Sequence, residues 1–280
     1  LDYGHNPAAI AAMADLVDRL DVKGRRMVVA AMPGDRRDED IAAAARETGA
    51  IVGIEALARW SHPKRGFISP GMFIPIAEQA GLMPMLGERI LALTMRDWHG
   101  WQHLEVSVNL SPLQFRQSDI VSILDRMVAE YKIDPSRFVL EITEGVLMDA
   151  GERTREALEK IRRLGFRLAL DDFGTGYSSL AYLCNFKFDK IKIDRTFVSG
   201  LARSQSVRTI VQSVISLGTG LGMKIVAEGV EEKAEARSMI DFGCTEMQGY
   251  YFAKPMPRTA LEAFIKTYKP LPIVEEDTTQ

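Results

Sequence analysis

Carboxylates, two amides and an ammonium recur in this sequence at one kind of place. Glu55, Asn109, Glu141, Asp171 with Asp172, Lys192, Glu228 and Gln248 each end, or closely follow, a short run rich in Val, Ile and Leu. Carboxylates crowded into one pocket repel one another unless cations neutralise them. Oxygen ligands of this kind suit Mg²⁺ or Mn²⁺ rather than zinc or copper. An adjacent Asp-Asp pair can bridge two such ions, and two ions roughly 3.5–4 Å apart serve in-line hydrolysis of a phosphodiester. The residue types therefore point to a two-metal phosphoesterase.

That chemistry requires the apolar runs to converge. Candidate strands span residues 51–57, 104–110, 137–142, 167–170, 190–193, 224–227 and 244–247, and they alternate with helical stretches. The helices carry apolar faces at 3.6-residue spacing, as in Val207, Ile210, Val211, Val214 and Leu217, and in Val121, Leu124, Met127 and Val128. Such alternation predicts a parallel sheet covered by helices. An open sheet draws ligand groups from the few strand ends at its switch point. A barrel collects the C-terminal ends of all its strands around one mouth. Seven strands deliver polar groups to one rim, so the prediction is an α/β fold of the TIM-like (β/α)₈ barrel type, with one strand still to be found before residue 51.

The beginning of the chain does not supply that strand in an obvious way. Asn6-Pro7 reads as the cap of a helix, residues 27–31 as a buried strand, Pro33-Gly34 as a turn and residues 38–46 as an Ala-rich helix. The tail, residues 269–280, is Pro-rich and acidic and reads as disordered.

Composition narrows the function classes. With 35 Lys+Arg against 38 Asp+Glu, the 280 residues carry a formal charge of −3, which gives no electrostatic footprint for duplex nucleic acid. No apolar run approaches the roughly 18–20 residues of a membrane span. Cys184 and Cys244 are too few for a disulfide framework and lie in no zinc-type cluster. The chain opens at Leu1 without a secretory pattern, which predicts a cytoplasmic piece of a longer protein.

The motifs around these residues carry a resemblance. IEALARW, VNLSPLQF, LEITE, LALDDFGTGYSSL, KIDRTFV, VAEGVE and QGYYFAKP follow in the order of the EAL-domain family of cyclic di-GMP phosphodiesterases, across residues 46–268. The resemblance implies an EAL-type barrel that linearises cyclic di-GMP to pGpG with two Mg²⁺ or Mn²⁺ ions. It implies Glu55, Asn109, Glu141, Asp171, Asp172 and Glu228 as metal ligands, with Asp171 shared between the ions. Lys192 is expected to hold the attacking water, and Glu231 to pair with Lys192 and fix its position. Arg59, Leu57 and Gln248 are expected on the substrate side, Arg59 at a phosphate, where its planar fork gives bidentate geometry. Glu144 is expected to hold the loop after Asp172 in its productive shape. A homodimer is the assembly the resemblance suggests.

Taken singly, these residues have plainer readings. A strand-end carboxylate is commonly a helix cap, Glu231 suits the first turn of a helix dipole, and Asp194 suits a turn cap as well as the site. His62, His99 and His103 share no ligand spacing and read as surface residues. The joint pattern favours the catalytic reading.

The sequence departs from the family at its start. The YQPI-type motif of the family's first strand is absent, so that strand is expected to be missing or replaced, with its neighbours' edges exposed. Residues 1–45 instead resemble the C-terminal domain of Mur-type ligases, most closely cyanophycin synthetases, through DYGHNP and PGDRRDEDI. No GxxxxGK[ST] loop accompanies them, so ligase activity is not expected. If the replaced strand displaces Glu55, the alternative is a catalytically impaired cyclic di-GMP receptor or interaction module.

Overall fold

The computed structural model describes residues 42–45, 51–148, 151–174 and 186–269, the first of these by backbone alone. Ten strands are present among them: β1 (Ala42–Ala45), β2 (Ile51–Ala56), β3 (Trp60–His62), β4 (Gly66–Ile68), β5 (Glu105–Leu110), β6 (Phe138–Thr143), β7 (Arg167–Phe173), β8 (Lys190–Ile193), β9 (Lys224–Ala227) and β10 (Glu246–Gln248). Eight of them form a curled, mostly parallel sheet in the order β1-β10-β9-β8-β7-β6-β5-β2, flanked by helices. This is the TIM-like barrel expected, and all seven predicted strands fall within it.

The eighth strand comes from an unexpected stretch. Ala42–Ala45, read from sequence as part of a helix, pairs antiparallel with β2 on one side and with β10 on the other. Alanine is the best helix former in isolation, but the expected helix over residues 38–46 is shorter than the roughly 12–15 residues that hold a helix in water without tertiary packing. The edges of β2 and β10 offer unpaired backbone groups instead, and pairing wins. The edges expected to stand exposed are therefore covered, although β10 holds its neighbours through only two residue pairs on each side. Residues 27–31, the sequence-based candidate for this slot, lie outside the described residues, as do the helix expected after Asn6 and the tail beyond Lys269.

Strand alternation divides the barrel into two layers. Val106, Val108 and Leu110 of β5, Phe138, Leu140 and Ile142 of β6, Leu168 and Leu170 of β7 and Ile191 and Ile193 of β8 pack outward into the main core with the helices. The intervening residues face inward. They form a charged floor at the strand starts (Glu105, Arg167, Lys190, Lys224, Glu246), a waist that includes Val139, Ala169 and Val226, and a charged mouth at the strand ends.

Between β2 and β5 the chain makes a lobe that the sequence reading passed over. The β3–β4 hairpin turns at His62, whose Nδ1 accepts from the backbone N–H groups of Lys64 and Arg65. Helices Pro70–Gln79 and Met83–Trp98 follow, and Ala58, Phe73, Ala77, Met83 and Leu86 form a second, smaller core. No helix among the described residues is long and apolar enough to cross a membrane.

Candidate active site

Glu55 comes last but one in β2, in register with Ala42 of β1. Its two carboxylate oxygens are held separately: Asn109 Nδ2 of β5 donates to Oε1 at 2.8 Å and Gln248 Nε2 of β10 donates to Oε2 at 2.5 Å. Three non-neighbouring stretches of sequence thus fix one buried carboxylate. The replacement strand stands directly beside it, where the family's own first strand was expected to be missed.

Lys192 stands at the centre of the mouth. Its ammonium lies 2.6 Å from Glu141, 2.6 Å from Glu228, 3.2 Å from Asp171 and 3.8 Å from Glu55, and its side chain is only 3% exposed. Period-two alternation explains why one strand serves both ends: Lys190 and Lys192 of β8 point the same way, to the floor and the mouth.

Two consecutive aspartates would ordinarily face opposite sides of a strand. Here the β7–β8 register slips between Leu170 and Phe173, so Asp171 and Asp172 share the space beside Lys192. Asp172 takes φ of 53°, a left-handed conformation uncommon for a residue other than glycine, and its N–H donates to Asp171 Oδ1 at 3.0 Å. The irregularity re-aims the second side chain, as bulges near functional sites do. Asp171, Asp172 and Glu228 consequently offer oxygens that all lie within 4.8 Å of one another.

Glu228 is placed by a backbone interlock just past β9. Its N–H donates to Ile193 O, and Val230 exchanges bonds with the turn after β10, its N–H donating to Gln248 O and its carbonyl accepting from Tyr251 N–H. Gly249 makes that approach possible, since a Cβ there would stand 2.2 Å from the Val230 carbonyl oxygen. The sequence reading missed Gly249 and Val230 as positioning residues; the signal available was a glycine directly after the last polar strand end.

Burial disfavours charge throughout the mouth, yet the outcomes differ. At Glu55 the Lys192 ammonium and the bonds from Gln248 and Asn109 outweigh burial and hold the carboxyl below its usual value. At Glu141 burial, with repulsion from Glu55, Asp171 and Glu228, outweighs the pull of Lys192 and pushes the carboxyl well up. Burial, with repulsion from Asp171 and Glu55, lifts Glu228 to about 8. Asp172 is raised by burial and by Asp171 and Asp194. Burial alone would lower Lys192, but the surrounding carboxylates raise it well above its usual value. One ammonium leaves most of the negative charge unmet, and a hard divalent cation fits this all-oxygen donor set.

The remaining candidates lie around this centre. Glu144 opens the helix Glu144–Met148 and accepts from Gly174 N–H at 2.9 Å, so it grips the chain directly after Asp172. Arg59 and Leu57 follow β2 on the mouth side, both partly buried, with Arg59 donating to Ala58 O. Glu231 does not pair with Lys192. Its carboxylate is half-exposed and faces Arg195 at 3.7 Å, because four nearer carboxylates already surround the ammonium. Asp194 caps the helix Arg195–Gly200 by accepting from Thr196 N–H. Cys244 is buried, with its thiol pushed up to about 12 by burial, and is chemically quiet.

A TIM-like barrel with an acidic, cation-demanding mouth and one antiparallel strand defines the class. Within it, the model of the EAL domain matches residues 44–255, and the chain belongs to that family. Among its relatives is the bifunctional diguanylate cyclase/cyclic di-GMP phosphodiesterase MucR of Pseudomonas aeruginosa, 39% identical over 222 residues, covering 78% of this chain and 32% of that protein. An uncharacterised protein of Synechocystis is 40% identical over 224 residues, 78% of this chain and 32% of its own length. The chain thus spans about a third of the length of these curated relatives. Among solved structures, the PaMucR phosphodiesterase in complex with c-di-GMP superposes with a TM-score of 0.80 at 33% identity, covering 91% of this chain and 99% of that one. The matched region begins within β1, and the ligase-like reading of residues 1–45 finds no support in these similarities.

Proposed function

We propose that this chain is a metal-dependent phosphodiesterase that hydrolyses cyclic di-GMP to linear pGpG at the barrel mouth. The observation that carries the reading is the excess of carboxylates around Lys192, gathered by the β7–β8 irregularity and by the bonds that hold Glu55. Similarity to a phosphodiesterase structure holding c-di-GMP supports the choice of substrate.

In this reading Glu55, Asn109, Glu141, Asp171, Asp172 and Glu228 hold two Mg²⁺ or Mn²⁺ ions. When bound, such ions supply Lewis-acid activation of water and charge neutralisation at the phosphate. The residues of the chain do the rest. Lys192 holds the attacking water and supplies positive charge close to the phosphate as the P–O bond breaks. Gln248, by fixing Glu55, keeps one ligand oriented, and its own position suits a substrate or water contact. Arg59 takes a substrate phosphate, Leu57 lines the nucleotide side, and Glu144 sets the chain after Asp172 through Gly174. Glu231 acts at the rim with Arg195.

The reading also carries a barrel that begins with β1 at Ala42–Ala45, and not at residue 46 after a separate ligase-like segment over 1–45, and that runs to residue 268, with 269–280 as a tail, a homodimer and a cytoplasmic location. The competing reading, a receptor that binds without cleaving, drew on a missing first strand. The pairing of β1 beside Glu55 supports catalysis instead.

Incubation with cyclic di-GMP and Mn²⁺ or Mg²⁺, followed by chromatography, should yield pGpG. A folded sample that binds the nucleotide and releases no product would overturn the enzyme reading in favour of the receptor.

A further inference from the structure

The opposite end of the barrel holds a second concavity. A pocket of about 590 Å³ opens at the starts of β7, β8 and β9, between the end of the helix Glu152–Arg163 and the turn at Gly222. That volume lies within the range of small-molecule sites. Its wall brings together Arg162, Arg167, Lys187, Lys190 and Lys224, with Asp189 as the one acid lining it.

Part of this charge is already committed. Arg162 donates to Asp189 at 2.6 Å, and the buried Lys190 is locked between Glu105 at 2.6 Å and Glu246 at 2.5 Å. Counting those two acids behind the wall, five cations still face three carboxylates. The cations able to reach a ligand are those at the edge. Arg167 pairs with Glu105, and Lys224 with Glu246 at 3.0 Å, yet they keep 37% and 38% of their side chains exposed to a ligand, and exposed Lys187 has no acid within ion-pair distance among the described residues. Beside them stand half-buried Phe186 and Leu221, the latter 41% exposed, which make one side of the pocket apolar. At Gly222, with φ of 76°, no atom lies within 4 Å of where a Cβ would stand, so the lip beside Leu221 is open.

We propose that this pocket binds a nucleoside polyphosphate, with the phosphates against Arg167, Lys187 and Lys224 and the base against Phe186. Guanidinium and ammonium groups give charge-assisted bonds to phosphate oxygens, and an aromatic face accepts a base by stacking. The site is separate from the catalytic mouth: the waist residues Val139, Ala169 and Val226 lie between them, and the carboxylate-rich mouth repels such an anion in the absence of metal.

The test is calorimetric titration of the full chain with ATP and, separately, with inorganic pyrophosphate, in EDTA so that no metal at the mouth can hold either. Salt at about 150 mM, where the screening length is about 8 Å, removes diffuse attraction. Saturable one-site ATP binding is expected, weakened about tenfold or more by Lys187→Glu. Phe186→Ala should weaken ATP and leave pyrophosphate unchanged, and Asp172→Asn at the mouth should change neither. Lys187 is exposed, so its variant should fold, and a thermal melt verifies this. The proposal is overturned by absence of saturable binding at millimolar ATP, by indifference to Lys187→Glu, by pyrophosphate binding as tightly as ATP, or by sensitivity to the mouth variant instead.

Discussion

Both ends of the barrel are lined by ionisable side chains, and they balance their charges in opposite ways. At the floor, Glu105 and Glu246 meet Lys190, Lys224 and Arg167, and every one of these groups has an oppositely charged partner. At the mouth, four carboxylates share the single ammonium of Lys192, and a fifth, Asp172, stands beside two of them. A cluster whose inner groups satisfy one another can be a device for stability, the role usual for the N-terminal face of such barrels, with only its exposed cationic edge left to meet a ligand. A cluster that cannot do so requires something from outside, and here that requirement is for cations. The same strands build both, since Lys190 and Lys192, or Glu246 and Gln248, are two residues apart.

This contrast can be broken most sharply at Glu55. Glu55→Ala removes a proposed metal ligand and releases Asn109 and Gln248, and turnover of cyclic di-GMP should fall at least on the order of 10²–10³-fold with little change in the melt. Retained turnover would show that the mouth does not do the chemistry assigned to it. At the floor the effects should be reversed. Glu246→Gln leaves Lys190 and Lys224 short of a partner and should cost about 3 kcal/mol in urea unfolding, because breaking a buried pair strands a charge. In the surviving folded fraction kcat should be near normal.

The two ends should also answer pH with opposite signs. Burial raises the Glu105 carboxyl, but Lys190, Lys224 and Arg167 outweigh it and the net position is lowered from 4.5. Its contribution to stability is therefore present above 4.5 and lost as pH falls through the lowered value. Glu228 is raised from 4.5 to about 8, so between those values the folded, metal-free chain binds more protons than the unfolded one. Its contribution is full below 4.5 and lost as pH rises to about 8. Melts in EDTA should decline on both flanks, and Mg²⁺ or Mn²⁺ should remove the alkaline decline alone. Metal that altered the acid flank equally would dissolve the distinction.

Smaller effects test the periphery. Glu144→Gln weakens the grip on Gly174 N–H and should lower kcat by about 10–100-fold with unchanged stability, the usual cost of loosening a supporting partner. Glu231→Gln, at a half-exposed pair 3.7 Å from Arg195, should shift stability by under about 1 kcal/mol. A kcat loss matching that of Glu55→Ala would instead restore Glu231 to the Lys192 environment.

Much of this arrangement could be read in advance. Runs such as KIKI and KIVA state their strand character through β-branched residues, and the polar residue closing each run marks the rim. Glu55, Asn109, Glu141, Asp171, Lys192, Glu228 and Gln248 do converge as expected. Other features were hidden because they depend on partners distant in sequence. Ala42–Ala45 looks helical until the edges of β2 and β10 are present. Lys190 and Glu246 are unremarkable charges until the barrel places them 2.5 Å apart. Asp172 gives no local sign that it will adopt a positive φ.

By itself, then, the sequence determined the period of each strand and the chemistry at its end, because alternation and residue type are local properties. Tertiary structure decided which charges meet. Register, the slip at Asp171-Asp172 and the closure through β1 set those distances, and an ion pair or a metal site exists only through distances between residues that the chain keeps far apart.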